Sequence, residues 1–449
     1  MATMSTYRNG TNGSPDVTTW NYDPSRGWLT SKVYADGSTN AYSYLGNGSL
    51  QKRTWARGAE TTYSFDPAGS LTNVDYSDST ADISMELDRL GRAVIIHDAM
   101  GTRTNSYSAD GQLSSETLPQ IPGFSLSYGR DGIGRMTGIS LLNASAVAEH
   151  EAVYGFEAGG WLATAGDGTR SVTFSYGADG VTATNLLFSN GASNVLRTAK
   201  TFDGLNRLLT TASTDPSSTT LYSAGYTYNL SNQRTTNALA DGGFWVYEYD
   251  TLGQVISGKK RFADGTAVQG AQFVYSFDTI GNRLSGEAGT ASAESEYTAN
   301  ELNQYTERTI PAEVLVTGEA VTGATVSVRL ETNNASLANR HGEYFWKSVA
   351  VDNSSLFATT NLKVTAVMAS GTNSLVRTEV RSAVIPATPV VYAHDPDGNL
   401  LSDGLWTNQW SGENRLVSMQ NVSSVPDAKK RKLDFKYDYM GRRTQKTVS

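Results

Sequence analysis

Apolar and polar residues alternate along most of this chain in short runs, and tight-turn residues close each run. In Tyr63-Ser64-Phe65-Asp66-Pro67-Ala68-Gly69-Ser70-Leu71 the two rings stand two residues apart. A period of two places both rings on one face of a β-strand. The aspartate follows on the other parity, at the mouth of a turn. Its carboxylate can accept hydrogen bonds from backbone N–H groups two or three residues on, as in an Asx-turn. Gly69 then supplies the positive φ that a tight hairpin needs. The same order returns in Tyr247-Glu248-Tyr249-Asp250-Thr251-Leu252-Gly253 and in Tyr275-Ser276-Phe277-Asp278-Thr279-Ile280-Gly281. Each unit predicts a β-hairpin with an aromatic-rich face.

Weaker copies fill the gaps. Their turn residues are Gly27, Gly48, Gly69, Gly91, Gly111, Gly134, Gly160, Gly180, Asn206, Asn232, Gly253, Gly281 and Asn303, spaced 20 to 28 residues apart. A near-constant period of this length marks a repeat architecture, in which each unit buries its face only against its neighbours. The predicted fold is therefore all-β.

Three units carry a more specific pattern: Leu87-Asp88-Arg89-Leu90-Gly91-Arg92, Phe202-Asp203-Gly204-Leu205-Asn206-Arg207-Leu208 and Tyr437-Asp438-Tyr439-Met440-Gly441-Arg442-Arg443. This run resembles the YD repeats of the Rhs family, shared with the teneurins. The resemblance covers about residues 20–308 and 390–449. It implies one long antiparallel sheet of hairpins that spirals into a hollow shell or barrel. Periodicity alone would also admit other solenoids.

The repeat stops at Asn303 and its next turn is Gly398, a gap of 95 residues. Pro311, Pro386 and Pro389 edge this stretch. Between them Glu313–Thr317, Ala324–Val328, Tyr344–Val349, Asn361–Val367 and Val376–Ile385 read as five strands, with Asn333 in one of the loops. Alternation such as Val326/Val328 is that of half-buried strands. The expected organisation is a repeat array over 1–309, a small inserted Ig-like β-sandwich over 310–390, and the array again over 391–449. Tyr344, Phe345 and Trp346 offer an aromatic platform for a sugar, centred on Tyr344 and Trp346. Three consecutive rings on a strand face both sides, so at least one belongs to a core.

Composition narrows the function. Glycine (43) and tyrosine (23, against 13 phenylalanines) are in excess, and both are repeat residues counted many times. There is no cysteine, which removes disulfides, thiolate metal sites and a cysteine nucleophile. A net charge of −8 argues against nucleic acid as a partner. The basic run Lys429-Lys430-Arg431-Lys432 reads as a solvated loop. No apolar stretch is long enough to span a membrane, and residues 1–27 lack the features of a signal peptide.

Catalytic patterns are scarce. His97, His150, His341 and His394 show no metal-ligand spacing. The run from His394 through Asp395-Pro396-Asp397-Gly398-Asn399 has Trp406 where a calcium loop carries its glutamate. Gly253 to Lys260 ends in lysine where a phosphate loop carries serine or threonine. The expectation is no catalytic, metal or cofactor site, and no cofactor. The Rhs resemblance implies a non-enzymatic shell segment of a larger secreted or cell-surface protein, enclosing or presenting a C-terminal toxin or effector. The alternative is a surface adhesin or carbohydrate-binding protein that uses the inserted sandwich. The motif that usually ends the family's repeat region, Tyr-Asp-Pro-x-x-Gly-Arg-Phe, is absent. That puts autocleavage in doubt and suggests a fragment or a divergent member.

Overall fold

The computed structural model describes all residues except 9–12, 290–292, 331–333, 355–357 and 426, and the side chains of 358–360 and 383 are likewise left aside. The loop residue Asn333 lies outside the described residues. The chain forms an antiparallel sheet of 28 strands, a six-stranded sheet from residue 393 onward, and two small sheets of three and four strands.

The large sheet is a meander. Every strand from Ala2–Thr6 to Tyr305–Arg308 pairs with the next along the chain, as Glu60–Phe65 does with Leu71–Tyr76. Two rows of turns join the strands. The first row is the one the repeat pattern marks: all thirteen turn residues from Gly27 to Asn303 have positive φ. In each such turn the N–H of the glycine or asparagine donates to a carbonyl a few residues back, as Gly69 does to Asp66 at 3.0 Å. The Asp66 N–H donates to the Ser70 carbonyl at 2.9 Å. This is a type I turn closed by a left-handed residue, and it forces a one-residue bulge. The register slips there in unit after unit, between Ser64 and Phe65, Thr201 and Phe202, and Glu248 and Tyr249. The second row lies on the opposite edge, at Gly37, Gly58, Gly101, Gly123, Ala146 and onward, also with positive φ. The aromatic pattern carries no mark of this row.

Bulges increase local twist and bend a strand, and here they recur along the Asp-turn edge. The sheet coils. Tyr7 and Arg8 come to Thr279, whose hydroxyl donates to the Tyr7 carbonyl at 2.7 Å, 272 residues away. The 24 strands from Ala2–Thr6 to Ala267–Phe277 thus make one turn. At ~4.8 Å per strand that is ~115 Å of sheet, or ~35 Å across the coil. A single layer of this kind leaves both faces wet. The accessible area is 24922 Å², whereas a compact monomer of 48.2 kDa exposes about 16,500 Å².

The chain leaves the array after Tyr305–Arg308 and returns at Val390–Val391, which pairs with the strand it left: Glu307 with Val391, Arg308 with Val390. In between, Glu313–Glu319 pairs with Tyr344–Ala350, and Thr325–Leu330 with Ala358–Ser370. The strand Asn373–Ile385 starts earlier than the alternation suggests, and Ser336–Leu337 and Asn339–His341 add two short strands. The two small sheets share one core of Val328, Leu330, Leu362 and Ile385, against which Val314, Val316 and Val349 pack. Phe345 is the buried member of the aromatic triplet, at 5 % exposure. Asn353 is buried where the module joins the array; its amide donates to the Pro386 carbonyl at 3.0 Å and to the Ile310 carbonyl at 3.4 Å.

Candidate functional site: the repeat clamp and the closing seam

Four of the repeat turns hold an aspartate–arginine clamp. The Asp203 carboxylate accepts the N–H of Leu205 and of Arg207, both at 2.9 Å, two and four residues on. Its second oxygen takes the Arg207 Nε–H at 2.6 Å. Asp88 with Arg92, Asp131 with Arg135 and Asp438 with Arg442 repeat this arrangement. Where the acid is amidated or the cation replaced, an amide keeps the shape: Asn229 with Gln233 at 2.7 Å, Asp278 with Asn282 at 2.8 Å. These bonds favour the ionised acid. The Arg92 guanidinium above all holds Asp88 below the usual carboxylate range, and the Arg207 N–H above all does so for Asp203. At Asp250 the fourth residue is Gln254, whose N–H donates at 2.8 Å. The reach to the fourth residue, rather than the third, reflects the extra residue of the bulge.

The arginine also ties one repeat to the next. Arg92 lies over the Tyr107 ring at 4.4 Å, Arg135 over Phe156 at 4.5 Å and Arg207 over Tyr228 at 4.9 Å. Tyrosine hydroxyls reach the other way. Tyr228 donates to the Leu208 carbonyl at 2.7 Å, Tyr249 to Arg234 at 2.6 Å and Tyr437 to Leu416 at 2.8 Å. This is why tyrosine outnumbers phenylalanine: the position needs a donor as well as a ring. The outer rings, Tyr247 and Tyr275, face the cross-strand glycines Gly258 and Gly286, where a Cβ would touch the ring at 3.6 and 3.4 Å. Tyr63 packs beside Val74, Ile83 and Ile96. Phe65 and Phe202 sit at their bulges opposite Leu71 and Leu208, and Phe277 lies 6.5 Å from Tyr275.

The seam is where the coil meets itself. Asp turns of the later strands seat on the opposite-edge turns of the first ones. Arg57, in the turn closed by Gly58, reaches the turn of Gly398: its Nε lies 2.9 Å from Asp397, its Nη1 3.4 Å from Asp395, and its backbone N–H donates to Asp397 at 3.1 Å. Trp55 Nε1–H donates to the Gly412 carbonyl at 2.7 Å, and Arg53 pairs with Glu413 at 2.9 Å. Gly412 N–H donates to the Thr80 hydroxyl at 2.7 Å. Further along, Tyr439 N–H donates to Asp98 at 2.9 Å. These partners are 340, 357 and 341 residues apart. Leaving out the 81 residues from Thr309 to Pro389, the separations become 259, 276 and 260. The coil therefore keeps its pitch across the insertion.

Burial changes the chemistry of the seam. The Asp397 side chain is 0 % exposed, and burial pushes its carboxyl above the usual carboxylate range while Arg57 pulls it back. Burial and then Glu413 push the Tyr76 phenol up. Arg103 and Glu116 form a fully buried pair beside Tyr128 and Tyr439. The buried charges are paired, Arg57 with Asp397 and Arg103 with Glu116. Among the described residues no cluster of His, Asp and Glu could hold a metal ion, and no helix is long and apolar enough to cross a membrane. His394 is pushed down by burial.

Of the residues that suggested a ligand platform, Tyr344 lies against the array. Tyr344 donates its hydroxyl to the Gln269 carbonyl and stands edge-on to Phe262 at 5.7 Å. Trp346 lies 6.2 Å from Tyr344. His341 stacks on Phe262 at 4.0 Å and meets Asp264 at 2.8 Å.

No family model matches the chain, and no curated protein matches it. Solved structures do. The crystal structure of TcdB2-TccC3-Cdc42 superposes over 97 % of this chain with a TM-score of 0.52 at 14 % identity. The fold is that of an Rhs-like β shell. This chain spans 23 % of that neighbour's length. The Photorhabdus luminescens Tc holotoxin pore matches over 96 % of this chain and 25 % of its own, at 12 % identity and a TM-score of 0.40. The likeness is one of fold, at low sequence identity.

Proposed function

We propose that this chain is a non-enzymatic wall segment of an Rhs/YD-repeat protein, secreted or displayed at a surface, whose shell encloses or presents a C-terminal toxin or effector. The observation that carries the proposal is the single-layered coil that meets itself: its area is half again that of a compact protein of the same mass. Such a wall separates an interior from solvent and proteases. In this reading Tyr63, Phe65, Asp66, Gly69, Asp88, Gly91 and their counterparts are structural residues of the wall. Residues 310–390 are an Ig-like module inserted into it. The carbohydrate-binding alternative has less support, because the Tyr344 hydroxyl and one side of its ring are engaged by the array. The test is protection. A protease-sensitive reporter domain is joined after Ser449, and its cleavage is compared in the intact fusion and after the seam is opened by Arg57→Ala. Slow cleavage that accelerates in the variant supports enclosure. Equal rates in both, matching the free reporter, would refute it.

A further inference from the structure

The inserted module carries a long hairpin. Its second strand, Asn373–Ile385, has 13 residues and pairs residue for residue with Ala358–Ser370, without a bulge. On its other side no strand pairs with it among the described residues. Residues 371–382 are all exposed. Val376 and Val380 are 61 and 56 % exposed, and the Arg377 and Arg381 side chains 85 and 79 %. Proline and bulges, which commonly blunt a sheet edge, are absent between Asn373 and Ser382. The charges on this edge are of both signs: Glu379 lies 3.9 Å from Arg377 and 3.5 Å from Arg381.

The edge is matched to itself. The hairpin turns on two residues, Gly371 and Thr372, with Ser370 opposite Asn373. Hydrogen-bonded and non-bonded pairs alternate away from such a turn. The odd-numbered residues therefore bond within the hairpin, and Ser374, Val376, Thr378, Val380 and Ser382 turn their N–H and C=O groups outward. That row, Ser-Val-Thr-Val-Ser, reads the same in both directions. We propose that this edge pairs antiparallel with the same edge of a second copy of the chain, about a two-fold axis at Thr378, joining two four-stranded sheets into one. Thr378 then meets Thr378, Val376 meets Val380 and Ser374 meets Ser382. On the other face Arg377 stands opposite Glu379 of the second copy, once on each side of the axis. β-Branched and opposite-charge cross-strand pairs stabilise a sheet. Moving the axis by one residue either way sets arginine against arginine. Centring on Val380 instead draws in Ile385, which is buried in the module's core. The contact is isologous, so assembly stops at two copies. It concerns the inserted module alone and holds whether or not the coil encloses anything.

Sedimentation of the purified chain over a concentration series tests this. The native chain should pass from monomer to dimer and go no further. In the dimer, hydrogen exchange should slow at the amides of Val376, Thr378 and Val380, while those of Arg377 and Glu379, already bonded within the hairpin, change little. Thr378→Pro removes an outward donor where an edge strand tolerates proline. It should abolish the dimer and leave the β circular-dichroism signal intact. Arg377→Glu sets like charges opposite each other on both sides of the axis and should weaken the dimer at least ~10-fold; Glu379→Arg should do the same. Mixed, these two variants should form a 1:1 dimer, because an acidic edge then faces a basic one. A native chain that stays monomeric or grows past the dimer, a dimer that survives Thr378→Pro, or a mixture that associates no better than either variant alone would each overturn the proposal.

Discussion

Arg57 is the residue on which the seam turns. Its guanidinium faces Asp395 and Asp397, whose side chains are 9 and 0 % exposed, and it also donates to the Ser411 carbonyl. Arg57→Ala leaves two buried carboxylates without their counter-charge. Removing one partner of a buried ion pair costs about 3–5 kcal/mol, because the remaining charge is desolvated and unpaired. Taking the lower figure, seam opening becomes about 100-fold more frequent at 1.4 kcal/mol per decade. The defect is local, so hydrogen exchange resolves it better than a melting curve. Amides of Gly398, Asn399 and Gly412 should exchange about two decades faster, while turns far from the seam, such as the one closed by Asn232, stay unchanged. The pH dependence has a definite sign. Burial already holds Asp397 above its ordinary value, and loss of Arg57 raises it further. A raised folded-state value means stability that is complete below the unfolded value of about 3.9 and is lost as pH rises through the folded one. The Arg57→Ala defect should therefore shrink as the medium is acidified from neutral toward about pH 4, and Asp397→Asn in the same background should relieve it at neutral pH. Unchanged exchange at the seam amides, or a defect that grows on acidification, would refute the reasoning.

Other outcomes follow from the clamp and the neck. Tyr228→Phe keeps the ring but removes the donor to the Leu208 carbonyl, and should cost ~1 kcal/mol in denaturant unfolding. Asn206 has φ +58°, so Asn206→Gly should be near neutral and Asn206→Val should cost ~1–2 kcal/mol. Asp88, Asp131 and Asp203 are held below the usual carboxylate range; their contribution is present above the unfolded value and lost as pH falls through the depressed ones. Acid titration followed by circular dichroism should show loosening below about pH 4, and replacing all three with Asn should flatten that limb. Asn353→Ala leaves the Ile310 and Pro386 carbonyls without their amide donor, at ~1–3 kcal/mol. Limited proteolysis should then cut at the neck of the inserted module while the array's β signal persists.

Much of the local structure was legible because it depends on neighbours along the chain. Tyr-x-Phe-Asp-x-x-Gly announces a strand, a turn and a bulge within a few residues, and Gly69 or Asn206 reports the left-handed position directly. The arginine after the turn was visible only as a long polar residue. That its Nε clamps the aspartate while its guanidinium covers the next repeat's ring needs two hairpins side by side. The opposite turns do carry a recurring acid, as in Asp36-Gly37, Asp167-Gly168, Asp241-Gly242 and Asp264-Gly265, but no aromatic pair precedes them and Ala146 or Ser218 closes others in place of glycine, so they do not stand out as one repeat.

What the sequence determined by itself is the hairpin, its period and the all-β class, because strand parity and turn chemistry act over a few residues. What only the tertiary structure decided is where the coil meets itself. That depends on the small bend each bulge adds, summed over 24 strands, and on which edge residues then face each other. Arg57 and Asp397 are 340 positions apart, and nothing in either neighbourhood names the other. Their pairing is set by the pitch of the coil, a property of the sheet as a whole.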